Sequence, residues 1–297
     1  MQIVTATENQ FSLIEAFLAP YEYYCVQLAA IIRKKTEKIE VLVKNDSLEK
    51  GDDILGLFYF DKILLHCLPF AIKKAKGIIC LPDFRPPEFE LSDFEALIAN
   101  YFKGSNVRCI SGEKNSTDLF LKIFKNLQLE PYYTNTYKLM TLYNQPFEPP
   151  EPLSCDDEIR RCYTQDYDSL FDLQKKYIIK EVAPAGKQVS DAECAISLKK
   201  ILKEQLCFAL FSDEEVVAKA NTNAIGINWV QIGGVYTHPL YRRNYYAWNL
   251  VRAVCQRILK TNRKVCLYVK EKNNPAHILY QHIGFSESGM YEICYFN

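Results

Sequence analysis

Residues 229–247 read Trp-Val-Gln-Ile-Gly-Gly-Val-Tyr-Thr-His-Pro-Leu-Tyr-Arg-Arg-Asn-Tyr-Tyr-Ala. The apolar run Val230 to Thr237 is stopped by Pro239, which has no N–H for a sheet ladder and restricts the residue before it. A basic turn follows, Arg242-Arg243-Asn244. Beyond it Ala247, Leu250, Val251, Val254 and Ile258 recur at helical spacing as far as Lys260, with Arg252, Gln256, Arg257 and Lys260 expected to face away. The stretch is therefore strand, basic turn, helix. Free backbone N–H groups and the positive end of the helix dipole converge on such a turn, which favours an anion, typically a phosphate.

Working outward, Val265–Val269 is a continuous apolar run, the pattern of a strand buried on both faces. With the opening strand and helix it makes a right-handed βαβ unit. Asn274-Pro275-Ala276 opens a short helix that ends at Gly284, and Met290–Phe296 is a last strand. Upstream, a strand near Ile159–Tyr163 precedes helices over Asp166–Ile178 and Ser190–Glu204, the second with a Ser190/Glu193 capping box. Cys207–Ser212 and Glu215–Asn223 form a hairpin around Asp213-Glu214.

The first half repeats this texture. Helices are expected at Glu8–Phe17 and Tyr24–Lys34, and strands at Glu40–Lys44, Ile54–Phe60, Lys62–Leu68 and Ile78–Leu81. Asp83–Glu88 reads as a loop. Ser92-Asp93 would cap a helix to Tyr101, Val107–Ser111 a strand, Asn115 or Ser116 a helix cap to Leu127, and Tyr137–Tyr143 a closing strand. Four prolines between Pro146 and Pro152 mark a linker. The chain thus reads as two α/β domains with mixed sheets, residues 1–145 and 155–297, joined by residues 146–154. Leu57-Phe58, a turn and Ile63-Leu64-Leu65 echo Leu210-Phe211, a turn and Val216-Val217-Ala218. Duplication and chance both account for so short an echo.

Bulk properties narrow the function classes. With 36 basic and 36 acidic residues, divided 17 to 19 through Pro150 and 19 to 17 after it, the chain is not built to coat nucleic acid or an anionic membrane. No signal-peptide pattern and no apolar run near the ~20 residues of a spanning helix is present, so a cytoplasmic protein is expected. The 11 cysteines are scattered, without a C-x-x-C pair, as suits reduced core thiols. The four histidines show no ligand spacing, and no metal is expected. Walker, G-x-G-x-x-G and G-x-S-x-G motifs are lacking.

Two passages, Gly233–Arg242 and Asn274–Phe285, resemble the GNAT family of acyl-CoA-dependent N-acyltransferases, the second through the pattern N-x-A-x-x-L-Y-x-x-x-G-F. The chain resembles two-domain members in which a degenerate N-terminal half precedes a complete C-terminal domain. The resemblance implies acetyl-CoA as acyl donor and a primary amine on a small molecule or peptide as acceptor, with a homodimer possible. It implies that the backbone of Val235, Tyr236 and Thr237 pairs with pantetheine amides and that Arg242, Arg243, Asn244, Tyr245, Tyr246 and Ala247 cradle the pyrophosphate. Asn273, Asn274 and Ala276 would line the far side of the cofactor, and Tyr280 would be the general acid to the departing thiolate. A phenol with a reference pKa near 10 suits a thiol near 8.5; the alternative is a packed aromatic.

The sequence departs from the family in the turn, where Tyr245 stands at a glycine position. Either the site is rebuilt with Asn244, which tolerates unusual backbone angles, and two arginines, or Tyr245 closes it. The strand carries Asn228 and Gln231 but no carboxylate base. Glu181, Asp191 and Glu193 lie on the acceptor side, where capping or solvation is the simpler role. The competing function is a non-catalytic module that binds CoA or a protein.

Overall fold

In the computed structural model, which describes residues 1–34, 39–44, 47–60, 64–67, 72–74, 77–79, 91–144, 152–184, 186 and 188–297, one order of elements occurs twice. The first pass comprises β1 (Gln2–Thr5), α1 (Phe11–Leu18), α2 (Val26–Lys34), β2 (Glu40–Val43), β3 (Ile54–Phe60) and β4 (Leu64–Cys67). It continues through a small hairpin, β5 (Ile72–Lys74) and β6 (Gly77–Ile79), then α3 (Leu91–Phe102), β7 (Cys109–Glu113), α4 (Lys114–Asn126) and β8 (Tyr133–Leu142). The second comprises β9 (Asp157–Cys162), α5 (Tyr167–Tyr177), α6 (Asp191–Glu204), β10 (Cys207–Ser212), β11 (Glu215–Ile225) and β12 (Trp229–Thr237). It ends with α7 (Tyr246–Leu259), β13 (Lys264–Lys270), α8 (Asn274–Ile283) and β14 (Ser286–Tyr295). Hairpin β5–β6 apart, each pass is strand, two helices, three strands, helix, strand, helix, strand. In each, the fourth strand pairs parallel with the fifth, β4 with β7 and β12 with β13. This common order matches β2, β3 and β4 with β10, β11 and β12, so Leu57-Phe58 of β3 corresponds to β11 and not to Leu210-Phe211 of β10: the short sequence echo joins non-equivalent strands, and the repetition is one of topology.

The chain divides into two compact units, Met1–Leu139 with Gly289–Asn297, and Met140–Ser288. The proline-rich segment lies, over 145–151, outside the described residues, as do the turn 61–63 and the loop expected over Asp83–Glu88. In the first unit the strands run β1, β2, β3, β4, β7, β14, β8. Its core is aromatic: Phe58, Phe94, Phe102, Phe120 and Phe124 are all fully buried. In the second unit the order is β13, β12, β11, β10, β9. α7 packs with Val217, Ala220, Val230, Ile232, Val265 and Leu267 in one cluster. Leu170 of α5 and Leu198 and Leu202 of α6 pack with Cys207, Ala209 and Phe211 in another.

Several local expectations shift. α4 is capped by Glu113, whose carboxylate accepts from the N–H groups of Asn115 and Ser116, so neither of those is the cap. α3 begins at Leu91, which places Ser92 inside its first turn. Arg252, assigned to the outer face of α7, is buried, because that helix is covered over most of its circumference. Among the described residues no helix is long and apolar enough to cross a membrane.

Phe120 lies in ring contact with Phe58, Phe94, Phe102 and Phe124. Phe120→Ala should lower unfolding stability by about 3–5 kcal/mol, measured as a shift of the urea midpoint; a change within ~0.5 kcal/mol would contradict so well-packed a core.

Candidate active site

The parallel ladder between β12 and β13 is short. It runs from Trp229 opposite Lys264 to Ile232 opposite Leu267 and then stops, although β12 continues to Thr237 and β13 to Lys270. Past Ile232 the two strands no longer pair with each other. On its other side β12 stays paired with β11, but the register slips. Lys219 faces Tyr236 and Asn221 faces Gly233, so two steps on β11 match three on β12, a β-bulge. Gly234 carries it with φ +60°. A Cβ there would lie 1.9 Å from Asn221 Oδ1 and 2.9 Å from Lys219 Nζ, so only glycine fits.

Polar groups buried around the bulge form one connected set. Lys219 is fully buried; its Nζ donates to Asn221 Oδ1 and to the Gly234 carbonyl, each at 2.9 Å. The ring of Tyr177, at the end of α5, lies 5.0 Å from that Nζ, and its hydroxyl accepts from the Gly234 N–H at 3.3 Å. No carboxylate pairs with Lys219 among the described residues, and burial lowers its pKa to about 8. Burial likewise pushes the Tyr177 phenol up to about 12. The Tyr236 hydroxyl and Thr237 Oγ1, at the end of β12, are buried without a hydrogen-bond partner. Sequence reasoning missed Lys219, Asn221 and Tyr177. The available signal was a lysine that interrupts the apolar start of the strand, Val216-Val217-Ala218, with an asparagine two residues on.

The turn after β12, expected to hold an anion, has left-handed angles on unexpected residues. Arg243 and Tyr245 take left-handed angles, φ +67° and +56°, whereas Asn244 does not. Tyr245 is therefore the N-terminal cap of α7 in a conformation that suits glycine, with no side-chain capping bond, and its ring is 58% exposed. The first-turn N–H groups of α7, from Tyr246 and Ala247 onward, have no acceptor within the helix. Arg242 turns back: its Nε donates to the Thr237 carbonyl at 3.3 Å and its guanidinium lies over the Tyr236 ring. Arg243 and Asn244 are exposed. Tyr246 is tied to β9 through a 3.0 Å bond from its hydroxyl to Asp157.

Beyond β13, Asn273 caps α8 by accepting from the Ala276 N–H at 3.3 Å, while Asn274 is exposed and Ala276 packs against the core. Tyr280 follows one turn later, buried against Phe285. Burial pushes its phenol well above the ordinary range, and the charges of Tyr177, Glu181 and Cys255 add to that. Of the carboxylates expected on the acceptor side, Glu193 completes the capping box with Ser190 and Asp191 pairs with Lys175 at 2.6 Å. Glu181 sits in a π-helical turn, Ile178–Val182, a distortion frequent at functional sites. Its charge is the one felt by both Tyr177 and Tyr280.

The first unit lacks the phenol. Gln128 takes the left-handed angle that Gly284 takes, and the N–H of Leu129 bonds the Phe124 carbonyl as that of Phe285 bonds Tyr280. Phe124 thus stands where Tyr280 stands. The segment corresponding to the anion turn falls mostly outside the described residues.

Residues 213–294 match the family model described as FR47-like protein. Among solved structures, a Drosophila protein superposes with TM-score 0.64 at 9% identity, covering 99% of this chain and 98% of its own. A GCN5-related N-acetyltransferase from Sphaerobacter thermophilus gives 0.55 at 14%, covering 98% and 94%. A tandem GNAT protein from the clavulanic acid biosynthesis pathway gives 0.54 at 8%, covering 99% and 97%. No curated protein matches the sequence. The chain therefore has the GNAT fold in two copies, a two-domain arrangement of mixed α/β sheets.

Lys219 has a consequence for stability. Its folded pKa, about 8, lies below its ordinary 10.5, so between those values the unfolded chain binds more protons and stability rises with pH. Relative to Lys219→Met, the wild type should gain on the order of 3 kcal/mol across that window. Urea titrations of both proteins at several pH values measure it; a pH-independent difference would show that the lysine is not held in this environment.

Proposed function

We propose that the second unit transfers an acyl group, acetyl in the first place, from acyl-CoA to a primary amine on a small molecule or peptide. The observation that carries this is the parting of β12 from β13 beyond Ile232, with a bulge on one side and a buried phenol at α8. The residues present suit a long ligand with amides at one end of its arm and phosphates at the other. The strand end offers unpaired backbone together with the unpartnered Tyr236 hydroxyl and Thr237 Oγ1. The left-handed angles of Arg243 and Tyr245 leave α7 without a side-chain cap, so that its first-turn N–H groups are open to phosphate oxygens. Acetyl-CoA supplies an activated thioester carbonyl there.

Within this proposal Val235, Tyr236 and Thr237 hold the arm, residues 242–247 take the pyrophosphate, and Asn273, Asn274 and Ala276 border the other side. Tyr280 stays protonated throughout the physiological range, because its pKa is raised, and it keeps that proton for the departing sulfur. A strand N–H stabilises the carbonyl oxygen as charge develops. Glu181 is the carboxylate best placed to relieve the acceptor ammonium of its proton, since Asp191 and Glu193 are engaged elsewhere. We assign the chemistry to residues 155–297 and none to residues 1–145, where Phe124 replaces the phenol.

A second function, a CoA-binding module without turnover, is favoured by one observation, the tyrosine at a left-handed position of the anion turn. Calorimetry and an amine panel separate the two. Acetyl-CoA should bind wild type with a dissociation constant below about 1 mM. Tyr280→Phe should retain that affinity while losing about 100-fold in kcat. No heat with acetyl-CoA removes both functions; binding without turnover on any amine leaves the module.

The turn itself is open to a separate test. Tyr245→Gly should keep CoA affinity, because glycine adopts the same angles without strain. Tyr245→Pro cannot take a positive φ and should weaken binding by about tenfold or more. Equal affinity in both variants would place the pyrophosphate elsewhere.

A further inference from the structure

We propose that Lys219 is a positioning residue, which sets the orientation of the Val235 N–H toward the acyl carbonyl by holding the Gly234 carbonyl. This rests on the acyl-CoA function proposed above and deepens it at one atom pair.

The bulge creates the need. Where β12 has one residue more than β11, a peptide unit loses its ladder partner and has to be satisfied by something else. Here the satisfying group is a side chain. The Lys219 ammonium reaches the Gly234 carbonyl at 2.9 Å and is braced by Asn221 Oδ1 at the same distance. Its third side faces the Tyr177 ring. The packing is tight, since any Cβ on Gly234 would meet both Asn221 and Lys219.

The peptide bond carries this contact to the ligand side. No cis bonds occur among the described residues, so the unit joining Gly234 to Val235 is trans and planar, with its C=O and N–H antiparallel. A carbonyl drawn toward Lys219 therefore turns the Val235 N–H away from Lys219. The preceding N–H, that of Gly234, is already given to the Tyr177 hydroxyl, so the Val235 N–H is the next in line along the strand. A lysine suits the task because it is a compact donor of three hydrogens that keeps two of them if it loses its charge.

The test compares two ligands, acetyl-CoA and S-ethyl-CoA, a thioether of similar size without the carbonyl, on wild type, Lys219→Met and Lys219→Gln. Calorimetry gives the affinities, and thermal melts confirm that each variant is folded. Wild type should prefer acetyl-CoA by about five- to tenfold, the worth of one hydrogen bond. Lys219→Met should abolish that preference while its affinity for S-ethyl-CoA stays within about twofold of wild type. Should Lys219→Met fail to fold, Lys219→Gln, a shorter neutral donor, should show the preference reduced. Equal weakening of both ligands, or a preference that survives in the variants, would overturn the role. A wild type that binds both ligands alike overturns this inference alone; one that binds neither overturns the acyl-CoA function and this inference with it.

Discussion

Four pairs of residues hold β12 to β13, and the rest of the second unit is arranged about the place where that pairing ends. Parallel strands in a buried sheet ordinarily pair for their whole common length, because an unpaired main-chain group away from water is costly. Separation is tolerable only where something else takes over. On the β11 side the bulge at Gly234 bends β12 and a lysine satisfies the stray carbonyl. Next along the chain, α7 starts from a left-handed residue, so the strand end and the helix start flank one turn.

Local signals in the sequence carried much of the architecture. Asp213-Glu214 take positive φ in a tight hairpin, the Ser190/Glu193 capping box forms, and α8 runs from Asn274 to a left-handed Gly284, because each depends on residues three or four apart. Other features were not legible. Glu113, beyond the strand expected over Val107–Ser111, caps the following helix with a carboxylate, whereas the pattern pointed to the side chains of Asn115 or Ser116. Arg252 sits at a polar position of α7 but lies under cover. Asn244 is the residue chemistry would choose for a left-handed angle, and the chain places that angle on the residues either side of it. Lys219 is a charge at a buried position of β11; only the pairing with β12 brings it beside a bulge.

The two copies show how differently fold and site are constrained. Both keep the parallel pair, the crossover helix and the left-handed end of the helix after it, features that tolerate many side chains. At the position of Tyr280, the phenol proposed as acid, the first copy has Phe124, which is absorbed into an aromatic core. Structures at 8–14% identity share this fold over nearly the whole chain, which accords with patterning and not identity as what the architecture requires.

Residues 289–297 belong to the first unit, where β14 lies alongside β7 with Tyr291 opposite Glu113 and Tyr295 opposite Cys109. Synthesis on the ribosome proceeds from the amino end, and domains usually fold as they emerge. In that order the first unit waits for residues 289–297: before they are made, β7 lacks its β14 partner and Cys294 and Phe296 are missing from the core. The unit that begins first is thus completed only after the second unit has been made, and until then β7 is without β14.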